Sequence, residues 1–271
     1  MGGVRQRLVP AGGALSRRSV LGGGVAALTA VAVGACSPGQ SSTALAEGES
    51  GLIARVSDGD LVVMESGLRV RLAEVEAPAG GRQGASPEPY FDEARRLLDR
   101  VATGRPARLW YGGLTRDRYD RAIAHVIVDS ADGGRIWLNG LMVRQGGARV
   151  RSWPDNTARV RELYRWEQEA RAARRGVWAL DHYRVRAPDD LAHAPAFAIV
   201  EGPLVSVAAQ AARGAARLDE TGIVIVPGTD MGAPDAALDL TIGGNVRLRG
   251  RLRREPDGGA IALTHWGQVE T

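Results

Sequence analysis

The chain has 271 residues, 44% of them apolar, enough for one large or two small domains with real cores. Its formal net charge is +4 and its pI about 9.8, and all 35 basic residues are arginine. A balance this small does not by itself establish a nucleic-acid partner, although arginine is the better fork for phosphate; a single cysteine excludes an internal disulfide.

Residues 1–36 read as an address rather than as fold. Arg5, Arg7, Arg17 and Arg18 precede an apolar, small-residue stretch over 20–35, which at about 16 residues is short for a membrane span. Ser16-Arg17-Arg18-Ser19-Val20-Leu21 resembles a twin-arginine export motif, with Val20 where Phe is usual. Val33-Gly34-Ala35-Cys36 resembles a bacterial lipobox, which implies that Cys36 carries lipid and becomes the new N-terminus. The expected location is the cell envelope, with the protein exported and anchored to a membrane through Cys36. Residues 37–50, rich in Ser, Gly, Ala and Pro, read as a flexible tether.

From Gly51 the pattern becomes that of a folded domain. Strands are predicted at 52–56, 61–64 and 68–72, separated by the turn signals Asp58-Gly59 and Ser66-Gly67. A Gly/Pro-rich loop follows over 78–89, then a helix over 90–102 with Phe91, Ala94, Leu97, Leu98 and Val101 at helical spacing, stopped by Gly104. Strands are predicted at 107–110 and 122–128, a short helix at 138–145, and a long Arg/Glu-rich helix at 157–174 capped by Gly176. This order fits a mainly β, α+β fold: an OB-type five-stranded barrel with three helices, occupying 51–186. Residues 189–195 read as a second linker. Strand-like runs at 197–202, 223–226, 246–252 and 261–264, with little helix signal, predict a second small all-β domain over 196–271.

The segment from Val56 to Trp178 carries a family pattern. Asp58-Gly59-Asp60, Val70-Arg71-Leu72-Ala73-Glu74-Val75-Glu76-Ala77-Pro78, Asp117-Arg118-Tyr119-Asp120-Arg121, Leu138-Asn139 through Gly146-Gly147-Ala148, and Gly176-Val177-Trp178 together resemble the thermonuclease, or staphylococcal nuclease-like, family. The C-terminal stretch, with Val200-Glu201-Gly202, Val246-Arg247-Leu248-Arg249-Gly250 and Thr264-His265-Trp266-Gly267, resembles the OB-like tail of some exported members. The resemblance implies hydrolysis of DNA or RNA phosphodiesters with one Ca²⁺. It assigns Asp60 and Glu76 as metal ligands and Arg71 and Arg121 as the catalytic phosphate clamps. Such roles are physically sensible, since Ca²⁺ takes hard oxygen ligands and guanidinium forks fit phosphate oxygens.

Three departures qualify the resemblance. Glu76 stands where the family has Asp, Leu61 where it has Thr, and Ala79 where it has the general-base Glu. Alanine neither accepts a proton nor orients a water, and loss of a general base costs about 10²–10⁴-fold in rate. Glu74, Glu88 and Asp92 are the nearby carboxylates; Glu74 shares a face with Glu76 if the strand is regular. Trp153 and Arg151 lie in the loop where family members place tyrosines near the base, and Arg beside an aromatic suits single-stranded nucleic acid. His125 reads as a barrel residue. The expected function is a phosphodiesterase acting on DNA or RNA at the envelope with weakened catalysis; the alternative is a catalytically inactive envelope lipoprotein that binds nucleic acid or protein.

Overall fold

The computed structural model describes residues 44–81, 84–191, 193–204, 206–208, 215–217, 223–227, 243–255 and 258–270. They fall within one compact unit, Gly39–Thr271. The export motif and Cys36 lie outside the described residues.

The first half is built from β1 (Ala46–Asp58), β2 (Leu61–Met64), β3 (Arg69–Leu72), β4 (Val75–Glu76), α1 (Phe91–Ala102), β5 (Pro106–Tyr111), β6 (Ala122–Asp129), β7 (Arg135–Trp137), α2 (Leu138–Arg144), β8 (Arg149–Val150) and α3 (Val160–Ala172). The sheet runs β3-β2-β1-β5-β6-β7, and a further parallel pairing of β3 with β6 closes it into a five-stranded barrel, leaving β7 as a flap on β6. Closure follows from the pattern: Val62, Val70, Leu72, Leu109, Ala124, Val126 and Val128 alternate inward and share one core. This is the expected OB-type barrel.

Helix α1 buries Ala94, Leu98 and Ala102, four residues apart, against the barrel. Its first turn carries Asp92 and Glu93 and its last turn Arg100, charges that complement the helix dipole. Asn139, at the start of α2, replaces barrel backbone pairing: its amide donates to the Ala73 and Ala124 carbonyls at 2.8 and 3.2 Å and accepts the Val126 N–H at 2.9 Å.

Three expectations need correction. The tether was expected to reach residue 50, but β1 begins at Ala46, where it pairs with Tyr111 of β5. Small and polar residues read as loop there only because β1 is exposed over most of this stretch. The third strand stops at Leu72: Ala73 and Glu74 form a turn, with Glu74 at φ 62, so Glu74 does not share a face with Glu76. Glu74 instead points inward, accepting the Arg159 N–H at the entry of α3 at 3.0 and 3.1 Å and lying 3.3 Å from the buried His125. Third, the stretch 189–195 is more than a linker, because Leu191 and Ala194 belong to the core of the second module.

That module is all-β, as expected. Strands β9 (Phe197–Pro203), β10 (Ser206–Ala208), β11 (Ala215–Arg217), β12 (Ile223–Pro227), β13 (Asn245–Glu255), β14 (Gly258–Leu263) and β15 (Val269–Glu270) form one sheet in the order β10-β11-β12-β14-β13-β15, with β9 also paired to β13. The two modules join through buried charge. Arg249 of β13 donates to Glu167 of α3 at 2.6 and 3.1 Å and to the Val150 carbonyl at 2.9 Å. Glu270 accepts from Arg249, Arg171 and Arg247. Nearby, His265 Nε2 lies 2.8 Å from the Ser152 hydroxyl and its Nδ1 lies 3.1 Å from Thr264.

Candidate functional site

The β1–β2 turn brings Asp60 to the barrel rim. Asp58 Oδ1 accepts the Gly59 N–H at 2.7 Å and fixes the turn. Gly59 is required by close packing rather than by its backbone angles: a Cβ there would lie 2.7 Å from the Ala77 Cβ and 3.0 Å from that of Ala94. Asp60 then meets Arg71 of β3, whose Nη2 donates to Oδ2 at 3.2 Å, and the Ala77 N–H donates to the same oxygen at 3.3 Å. Burial pushes the Asp60 carboxyl up to about 6; Arg71 opposes the shift, and the neighbouring charges of Asp58 and Glu76 add to it.

Glu76 is held differently. Strands β4 and β8 pair so that Glu76 faces Arg149 directly. Glu76 Oε2 accepts from Arg149 Nε and Nη2 at 3.1 and 2.8 Å, and Oε1 accepts from Arg151 Nη1. Burial would raise this carboxyl, but Arg149 and Arg151 outweigh it and hold it below its ordinary value. Aromatic rings brace the two arginines. Arg149 lies 4.5 Å from the Phe197 ring centroid and 5.7 Å from that of Tyr183; Arg151 lies 4.9 Å from Trp153 and 5.1 Å from Phe197. Trp153 itself is 49% exposed.

The structure therefore gathers Asp60, Arg71, Glu76 and Arg151 at one rim, with Trp153 stacked on Arg151. Arg121 immediately precedes the adjoining β6, whose first residue, Ala122, pairs with Val70. Its guanidinium is held by Asp117, with Nε donating to Oδ2 at 2.6 Å, and lies over the exposed Tyr119 ring at 5.2 Å. Arg149 escaped the sequence reading. The signal available was Arg149-Val150-Arg151, which in extended backbone puts both arginines on one face.

The carboxylates do not fit a Ca²⁺ centre. Such an ion takes six to eight oxygens. Here both Glu76 oxygens are bound by arginines, Asp60 is paired to Arg71, and among the described residues no group of three or more His, Cys, Asp or Glu side chains could hold a metal ion. Residue 79, where the family resemblance implies a general base, has a carboxylate neighbour, however. Glu88 Oε2 accepts the Ala79 N–H at 2.8 Å, and the Glu88 N–H donates to the Ala79 carbonyl at 2.9 Å. The loop thus folds a carboxylate back onto residue 79. Asp92 pairs with Arg95 on α1 instead.

The barrel segment is similar in sequence to known proteins. Residues 69–180 match the family model described as staphylococcal nuclease homologue. Asp60 precedes the matched segment. The chain is 27% identical over 144 residues to a thermonuclease of Staphylococcus intermedius, covering 52% of this chain and 83% of that protein. It is 24% identical over 130 residues to a thermonuclease of Staphylococcus hyicus, covering 47% and 74% respectively. A probable endonuclease of Phaeosphaeria nodorum is 33% identical over 138 residues, covering 48% of this chain and 44% of its own length.

Proposed function

Because residues 69–180 belong to the staphylococcal nuclease-like family, we propose that this protein engages the phosphodiester backbone of DNA or RNA at the cell envelope, with hydrolysis weakened relative to its family. The observation that supports this most is the rim itself: Arg71 of β3 beside Asp60, with Arg121 immediately before the adjoining β6. Two fixed guanidinium groups bind phosphate oxygens and stabilise charge that develops on them during hydrolysis. Trp153, stacked on Arg151, offers a face for a base in a single strand.

The weakening follows from Ala79. Residual hydrolysis depends on Glu88, whose carboxylate is anchored on the residue 79 backbone and activates water from a displaced position. A binding module without hydrolysis is the second reading; it draws on the occupation of Glu76 by two arginines. Export and anchoring through Cys36 form part of the proposal, and Cys36→Ser is expected to shift the protein from the membrane to the soluble fraction.

The test uses a labelled single-stranded oligonucleotide and the full chain. Binding weakens with salt, and Arg71→Ala loses about tenfold or more in affinity. Affinity indifferent to both salt and Arg71→Ala would refute the nucleic-acid role. Cleavage, where measured, falls at least about tenfold in Glu88→Gln; an unchanged rate removes Glu88 from the chemistry. No cleavage in either protein, with binding intact, selects the binding module.

A further inference from the structure

We propose that Arg149 and Arg151 have taken the place of the divalent cation, so that this rim binds a phosphate anion directly and without metal. The inference rests on reading Asp60 and Glu76 as the family's metal-ligand positions, and it goes beyond that reading by naming what replaced the metal. Glu76 spends one oxygen on Arg149 and the other on Arg151. Two guanidinium groups carry the same formal charge as one divalent ion. Arg149 and Arg151 against Glu76 leave one net positive charge at this end of the rim, the sign an oxyanion needs.

The replacement is built into the backbone rather than left to flexible side chains. The β4–β8 pairing sets Arg149 opposite Glu76, and the Arg151 N–H donates to the Glu74 carbonyl at 2.9 Å, which fixes the same register one step further. Phe197, contributed by the second module, lies against both guanidinium groups. That bracing lowers the ordering cost of binding an anion. Arg149 is buried, but the side chains of Arg151 and Arg71 remain 21% and 28% exposed, so the cluster opens to solvent on the side where Trp153 stands. Arginine also suits the position because it stays charged and binds oxyanions through two parallel N–H groups.

The experiment is titration calorimetry on the full chain with two probes, calcium chloride and, in EDTA, inorganic phosphate. Calcium is expected to give no saturable binding through about 1 mM, the weak end of protein calcium sites. Phosphate is expected to bind in EDTA, to weaken about tenfold or more in Arg151→Ala, and to weaken less in Arg151→Lys, which keeps the charge but not the fork. Saturable calcium binding that Glu76→Gln abolishes would overturn the proposal. So would phosphate binding that is absent, or that ignores Arg151→Ala in a protein whose circular dichroism shows it folded. A chain that binds phosphate through Arg151 but no oligonucleotide sustains this inference while overturning the nucleic-acid function.

Discussion

At the scale of single residues, the rim depends on small side chains as much as on charged ones. Gly59→Ala forces a methyl group into the space held by Ala77 and Ala94, and overpacking of this kind costs about 1–3 kcal/mol. The expected result is a lower thermal midpoint together with weaker oligonucleotide binding, since the same turn carries Asp60; a variant with wild-type melting would show that the turn shifts freely. Ala79 sets a different limit. Restoring a carboxylate with Ala79→Glu is expected not to produce calcium-stimulated cleavage by itself, because Glu76 remains bound by its arginines. Calcium-dependent cleavage by Ala79→Glu alone would contradict that account. Asp60 and Arg71 were legible as candidates in the sequence, because local motifs carry them, and the fold sets them side by side. The occupation of Glu76 was not legible, because Arg149 lies 73 residues away and only the fold brings the two together.

Among the elements, long ones were legible and two-residue ones were not. The strands β2, β3, β5 and β6 and the helix α1 announce themselves by alternation or helical spacing. Strands β4 and β8 are too short to show a period, yet their pairing decides the chemistry of the rim. The turn at Ala73-Glu74 was likewise hidden, since neither residue signals a turn; its reward is structural, because the Glu74 carboxylate satisfies the Arg159 N–H where α3 begins. Glu74→Ala leaves that buried group and the facing His125 without the carboxylate, and is expected to cost about 1–3 kcal/mol. Hydrogen exchange should show the first turn of α3 opening first; protection unchanged there would remove Glu74 as its anchor.

For the molecule as a whole, the buried charges between the modules make cohesion depend on pH. Arg249 and its neighbours outweigh burial and hold the Glu270 carboxyl down at about 2, while burial depresses the His265 imidazole to about 4. Both shifts are depressions, so both contribute stability that is complete above the ordinary values and lost on acidification. His265 weakens the join as pH falls from about 6.5 to about 4, and Glu270 from about 4.5 to about 2, each by up to about 3 kcal/mol. Denaturant midpoints should therefore fall through this window, and a flat profile between about pH 7 and about pH 4 would contradict the assignment. Arg249→Ala leaves Glu167 buried without its main partner and is expected to cost about 3–5 kcal/mol. The strand runs beyond residue 196 were legible; their packing into one unit with the barrel was not, since Glu167, Arg249 and Glu270 each look like surface charges in their own segments.

That buried Arg249–Glu167–Glu270 triad also imposes an order in time. A ribosome releases the barrel first, with Glu167 on α3 partnered by Arg171 at 3.4 Å but not yet by Arg249. The remaining members of the triad come later in the chain: Arg249 on β13, and then Glu270 on β15, which closes the set. A chain halted shortly before Glu270 would hold every rim residue and still be the less durable molecule.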